Sequence, residues 1–153
     1  MPLPRIDRAL LAGLALLASS PAFGACTAST AAVSFGAYDT LSPANDDSTG
    51  TLAVDCDAGE RNIVASINGG WSGSIAARTL HNGAVTLNYN LFADAGRMIL
   101  WGDGVIGSTV TLDFINSAGG VRHYRNTIYG RIPALQPVGA GTYVDTVTIT
   151  VTY

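Results

Sequence analysis

The sequence contains no lysine. All eight basic residues are arginine, and they stand against eleven acids for a formal net charge of −3. That balance argues against nucleic acid or an anionic membrane as a partner. Charged residues make up only 12% of the chain, beside 48% hydrophobic residues and 18 glycines. Disordered chains have the opposite composition, rich in charge and poor in apolar side chains. Histidine occurs twice, as His81 and His123, with no evident Asp or Glu partner for either. Surface positions are expected for both, and a Ser–His–Asp triad or a histidine metal site has little support. No helical periodicity lasts three turns. The apolar run at residues 9–18 is too short to span a bilayer. Cysteine is limited to Cys26 and Cys56.

That short apolar run has the setting of a secretory signal peptide. Arg5 and Arg8 form a positive start, and Pro21-Ala22-Phe23-Gly24-Ala25 is a small-residue cleavage region. Cleavage after Gly24 or Ala25 is expected. The chain then divides into a signal peptide over residues 1–24 and one domain over 25–153, with no second domain and no internal repeat. Removing the leader takes away Arg5, Arg8 and Asp7 and leaves six arginines against ten acids, a net charge of about −4. In an exported chain both cysteines meet oxidising conditions, which favour a Cys26–Cys56 bridge. Closing a loop of about thirty residues contributes roughly 3–4 kcal/mol in the chain-entropy model. The alternative is a lipoprotein cleavage site at residues 23–26, with Cys26 acylated and Cys56 unpaired, although Phe23 is a poor start for such a box.

The exported part is organised by alternation. Residues 33–38 predict a first strand interrupted by Gly36, and 41–49 a polar loop holding Pro43, Asp46 and Asp47. In residues 51–56, Leu52, Val54 and Cys56 share one face. Residues 63–67 read as a strand ended by Asn68-Gly69-Gly70, and 72–77 as a small-residue loop. Residues 86–92 put Leu87, Tyr89 and Leu91 together. A short apolar run at 98–101 is closed by Gly102-Asp103-Gly104, 110–114 alternate, and residues 117–120 separate them from a further strand at 123–129. A Pro/Gly connection over 133–141 leads into the last stretch. Short strands with turns between them predict an all-β chain folded as a β-sandwich.

The last stretch is the most informative. From Tyr143 onward it alternates, placing Val147, Ile149, Val151 and Tyr153 on one face and Thr146, Thr148, Thr150 and Thr152 on the other. The sequence stops at Tyr153 still in strand, which predicts a sheet edge open to another chain.

Other chemistry is thin. Gly70-Trp71-Ser72-Gly73-Ser74 has Ser74 where a nucleophile elbow needs its second glycine, and it lacks the strand-to-helix setting, so a plain turn is expected. Asp55-Cys56-Asp57-Ala58-Gly59-Glu60 offers oxygen ligands but not the alternating run of a calcium loop. No catalytic residue, no metal ligand and no cofactor is assigned. Trp71, Trp101 and Tyr124 are candidate surface or ligand contacts, weighed against places in the core.

The residues resemble the spore coat protein U domain family, which is also the pilin domain of archaic chaperone–usher fimbriae. The matching stretches include Cys26-Thr27, Phe35-Gly36-Ala37-Tyr38-Asp39, Gly50-Thr51-Leu52-Ala53-Val54-Asp55-Cys56 and Arg78-Thr79-Leu80. They continue through residues 87–94, Trp101-Gly102-Asp103-Gly104, residues 129–134 and the closing 140–153. The resemblance implies an immunoglobulin-like sandwich lacking its last strand, with Val147, Ile149, Val151 and Tyr153 as the edge that accepts a foreign strand. It implies a periplasmic chaperone, an outer-membrane usher and other fimbrial subunits as partners, joined by strand addition, and a path through the periplasm to the cell surface. Polymerising subunits carry an apolar donor extension ahead of their first cysteine, whereas here at most Ala25 precedes Cys26. The expected chain is therefore a non-enzymatic fimbrial subunit able to accept a strand, with a terminal or tip place in the fibre and a host or abiotic surface or glycan as its contact. The alternative is a self-contained secreted coat or biofilm-matrix protein that binds a surface or glycan without polymerising.

Overall fold

The computed structural model describes residues 25–57 and 59–153; the expected signal peptide, residues 1–24, lies outside the described residues. Nine strands follow in chain order: β1 (Cys26–Ala31), β2 (Asp46–Asp57), β3 (Val64–Ile67), β4 (Arg78–Asn82), β5 (Val85–Phe92), β6 (Val110–Thr111), β7 (Asp113–Ala118), β8 (Val121–Ile132) and β9 (Ile149–Thr152). A single 3-10 turn spans Gly70–Ser72, where the elbow-like sequence lies. One sheet runs β1-β2-β8-β5-β4, with β7 added on β8, and the other runs β6-β3-β9. Every ladder between these strands is antiparallel.

The core lies where the two sheets face each other, and period-two alternation selects it. On β2, Leu52, Val54 and Cys56 are all but inaccessible, and Leu87, Tyr89 and Leu91 repeat the pattern on β5. Tyr124, Ile128 and Ile132 of β8 meet Ala65 and Ile67 of β3 in the same cluster. Cys26 and Cys56 sit directly opposite in the β1–β2 register and form the expected disulfide. Trp101, 2% exposed, fills the interior and donates its indole N–H to the Ala65 carbonyl at 3.1 Å.

Arg78 is fully buried yet faces no carboxylate within ion-pair distance among the described residues. Its guanidinium donates to the Asn68 carbonyl at 3.0 and 2.8 Å, to the Trp101 carbonyl at 3.0 Å and to Asn90 Oδ1 at 2.6 Å. Those bonds tie β4 and β5 to the turn after β3, and burial lowers the guanidinium pKa from its ordinary value.

Three expectations from the sequence need correction. Residues 33–38 are not a strand: Val33 and Phe35 instead pack over Gly130 of β8, where any Cβ would collide with both side chains. The polar loop assigned to 41–49 ends early, because β2 begins at Asp46 and pairs along its whole length with β8. Residues 110–114 do not form one strand. Val110–Thr111 pair with β3 in one sheet, and the chain changes sheet at buried Leu112 to pair with β8 in the other.

Candidate functional site

β1 and β9 are the end strands of their respective sheets, and among the described residues neither has a partner on its outer edge. Both border one groove of about 540 Å³. Residues 28–33 form one wall and residues 145–149 with Val151 the other, and Leu52, Tyr89, Leu91 and Ile128 reach it from the sandwich interior. A second hollow of about 880 Å³ continues past Val33, Phe35 and Asp145 between residues 34–40 and 138–144. The molecule therefore has a long slot with unmet backbone groups at its margins and apolar side chains at its base. An extended segment laid between the two edges meets both requirements, pairing its backbone and burying alternate side chains.

The wall formed by the end of the chain follows the expected alternation, with a correction. Val147, Ile149 and Val151 are half-buried and pack on the core, while the intervening threonines are exposed. Tyr153 does not join them: it is 54% exposed, because the β3–β9 ladder ends at the Val64–Thr152 pair. Nor is the stretch from Tyr143 one continuous strand. Val144 bridges His81 at the edge of the larger sheet, whereas residues 149–152 pair with β3 in the smaller one.

The crossing between those two pairings is held by a polar knot that the sequence reading missed. Asp145 Oδ2 accepts from the Tyr89 hydroxyl at 2.7 Å, and Oδ1 accepts from the Trp71 and Thr146 amides at 2.8 Å. Burial, and then the Asp145 carboxylate, push the Tyr89 hydroxyl well above its ordinary pKa, so it stays protonated and donating. The available signal was register: Asp145 is a charged residue at an inward position of an otherwise apolar face.

Two of the three aromatic contact candidates are core residues. Trp101 is buried as described, and Tyr124, 4% exposed, donates to the Glu60 carbonyl at 2.9 Å. Trp71 is 77% exposed and lies against His81, with ring centroids 5.3 Å apart. His123 also differs from expectation: it has an acid partner, Asp55, at 2.9 Å, and Arg125 meets the same carboxylate oxygen at 2.8 Å. Together these two partners hold the Asp55 carboxyl below its ordinary range. Among the described residues no three His, Cys, Asp or Glu side chains gather as a metal site.

Exposed apolar side chains are scattered over the described residues, and the two most exposed stand on the loops that follow Asp94 and Asp103. Met98 is 87% and Val105 91% exposed. Each follows an aspartate whose carboxylate accepts backbone amides: Asp94 from Met98 and Ile99, and Asp103 from Val105 and Ile106. Arg97 anchors the first loop by donating to the Gly130 carbonyl at 3.0 Å. The sequence cue was an aspartate just ahead of a glycine in each loop, the pattern of side chains that close turns on their own backbone.

A two-sheet antiparallel sandwich with an unfilled groove between its end strands is an incomplete immunoglobulin-like sandwich of the pilin type. The model of the Spore Coat Protein U domain matches residues 14–150, and the chain belongs to that family. It is 32% identical over 146 residues to Protein U of Myxococcus xanthus, covering 85% of this chain and 78% of that protein. Among solved structures it is similar to a chain in the crystal structure of the CsuC–CsuE chaperone–tip adhesion subunit pre-assembly complex from archaic chaperone–usher Csu pili of Acinetobacter baumannii. The TM-score is 0.58 and the identity 21%, over 86% of this chain but only 40% of that one. At that identity the likeness establishes the fold.

Proposed function

We propose that this protein is a non-enzymatic structural subunit of a surface fimbria of the archaic chaperone–usher type, exported through the periplasm and assembled by strand addition. The groove between β1 and β9 carries this reading, since two unpaired sheet ends border one apolar slot. A periplasmic chaperone would fill it first, and a strand from another subunit would replace the chaperone at the outer-membrane usher. Family membership and the pilin-type fold support this assignment. Leaving the slot empty keeps Val147, Ile149 and Val151 half-buried, and a filling strand would gain part of the roughly 1.5–3 kcal/mol that full burial of each side chain gives.

An adhesive role, and with it a place at the end of the fibre, is part of the same proposal, and a separate observation bears on the adhesion. The tips at Met98 and Val105 present apolar side chains to solvent on loops held by hydrogen bonds to Asp94 and Asp103, which leaves both free to meet an apolar surface. Replacing both residues by serine should reduce binding to an apolar surface and leave assembly unchanged.

Producing the chain in a periplasm with and without its chaperone tests assembly. Alone, it should aggregate, be degraded or swap strands with a copy of itself; with chaperone it should be a soluble one-to-one complex. A soluble monomer with cooperative unfolding would instead favour a self-contained coat or matrix protein.

A further inference from the structure

The groove is not uniformly apolar, and the one charged residue among the described residues that line it, Asp145, has a defined position. Tyr143, Asp145, Val147, Ile149 and Val151 are the half-buried members of the alternating wall, so Asp145 occupies an inward place among apolar neighbours. It also stands where the two hollows meet. We propose that the strand filling this groove carries a neutral hydrogen-bond donor, a hydroxyl or side-chain amide, at the single inward position that faces Asp145. This inference rests on the strand-accepting reading of the groove and specifies the chemistry of the partner.

Three observations carry it. A carboxylate oxygen accepts about two hydrogen bonds. Oδ1 of Asp145 already receives the Trp71 and Thr146 amides, whereas Oδ2 receives only the Tyr89 hydroxyl and keeps one acceptor position open. A strand laid in the groove closes that position off from solvent. If the facing side chain is apolar, a charged acceptor is buried short of a partner, which costs more than losing a neutral one. Finally, Arg78 lies fully buried with no carboxylate in ion-pair contact, and Asp145 is an acid whose field reaches it. A buried cation therefore already stands beside the hydrogen-bond partner of Asp145, since Arg78 faces Tyr89 across the β4–β5 ladder. A second cation arriving from the strand would be desolvated near the first, so a neutral donor fits better than Lys or Arg.

The groove's wall from Tyr143 to Val151 sets the length of the probe, a peptide of roughly nine to eleven residues at about 3.3 Å per residue. The mature chain is refolded from denaturant with a series of such peptides. The parent has valine at every inward position, and each variant changes one of them to threonine, asparagine or lysine; thermal midpoint and dissociation constant are measured. Valine and threonine have nearly the same shape, so the exchange isolates the hydroxyl. Valine to threonine should weaken binding at all inward positions but one. At that one it should tighten binding by roughly tenfold, the size of one hydrogen bond to a charged group, and lysine there should bind less well than threonine.

Asp145→Val should remove the preference. Tyr89→Phe, which takes away only the groove-floor hydroxyl, should retain or strengthen it. A parent peptide that binds while threonine weakens it at every position would overturn the inference and leave the groove reading intact. Lysine binding best at the special position would overturn the neutral-donor assignment. If no peptide raises the thermal midpoint, the groove reading itself fails and this inference fails with it.

Discussion

β2 and the terminal segment through β9 use the same alternation of β-branched and apolar residues, and they finish in opposite conditions. β2 lies between β1 and β8, pairs with β8 over its full length, and exposes 1% of Leu52 and none of Val54. β9 pairs on one edge only, for four residues, and Val147, Ile149 and Val151 stay half-buried beside an open slot. Residue choice does not separate the two; the supply of neighbours does. Alternation states which face of a strand is apolar, and only the arrangement of the other strands states whether that face gets covered. The terminal segment has the covering requirement of a core strand without the cover, and the strand-accepting proposal rests on that difference.

The sharpest way to break this comparison is to place the same charge in both regions. Val54→Asp puts a carboxylate in a position with no route to water and should cost more than about 4 kcal/mol, enough to prevent folding. It should abolish soluble protein even with the chaperone present. If Val54→Asp still yields a soluble chaperone complex, the β2 face is not the sealed core described.

Next in size is the Cys26–Cys56 bridge, which spans 30 residues and ties β1, one wall of the groove, to β2 beside it. Reducing it should cost about 3 kcal/mol, read as urea unfolding of the chaperone-bound chain with and without reductant. Because β1 has only β2 beside it, reduction should loosen β1 first, and amide exchange in residues 26–31 should rise before exchange in β8. Uniform loosening of both would argue that the bridge stabilises the whole domain through the unfolded chain alone.

Ile149→Asp probes the open side. In the lone chain its carboxylate reaches water through the groove, so little stability is lost. In the complex it is covered, and affinity for a groove-filling strand should fall roughly a hundredfold, about 2.7 kcal/mol. Thr148→Asp, on the exposed face, should change affinity less than about threefold. Equal effects at 148 and 149 would remove the groove as the binding surface.

These contrasts also show how far the sequence carries. The buried faces of β2, β5 and the end of the chain were legible because one sheet face must be apolar and the period is two. The changes of sheet at Leu112 and between Val144 and Ile149 were not. Each stretch keeps its period of two, broken in polarity only by Asp145, and exchanges one partner for another, a choice made by distant strands. Residues 33–38 have strand-like composition, but Val33 and Phe35 cover Gly130, which lies far along the chain and leaves no local cue. Trp101 is buried and Met98 exposed within one short apolar run, since such a run says nothing about which of its members the core has room for. Arg78 left no local signal either, because its partners are carbonyls and an amide on three other segments.

The smallest expected effect repeats the lesson of neighbour supply within a single pair of residues at the start of β2. Asp47 has partners: Arg131 meets it at 2.7 Å and Arg97 at 3.3 Å. Hydrogen bonding to Arg131 leads the causes that lower its carboxyl pKa from the ordinary 3.8. Asp46, next door, has an enclosed Oδ2 without any hydrogen-bond partner, and burial, aided by the charge of Asp47, raises its pKa. The two signs are opposite. The lowered Asp47 contributes stability that is full above about pH 4 and is lost as pH falls through its folded value. The raised Asp46 carries a penalty that is full above its folded value and vanishes once pH falls below about 4. At pH 7, Asp47→Asn should therefore destabilise and Asp46→Asn stabilise, each by less than about 1 kcal/mol because both sites are partly open to solvent. Denaturant unfolding of the two variants and the parent at pH 7 and pH 3 measures this. Both differences should shrink at the lower pH, and a destabilising Asp46→Asn at pH 7 would show that its carboxylate has found a partner after all.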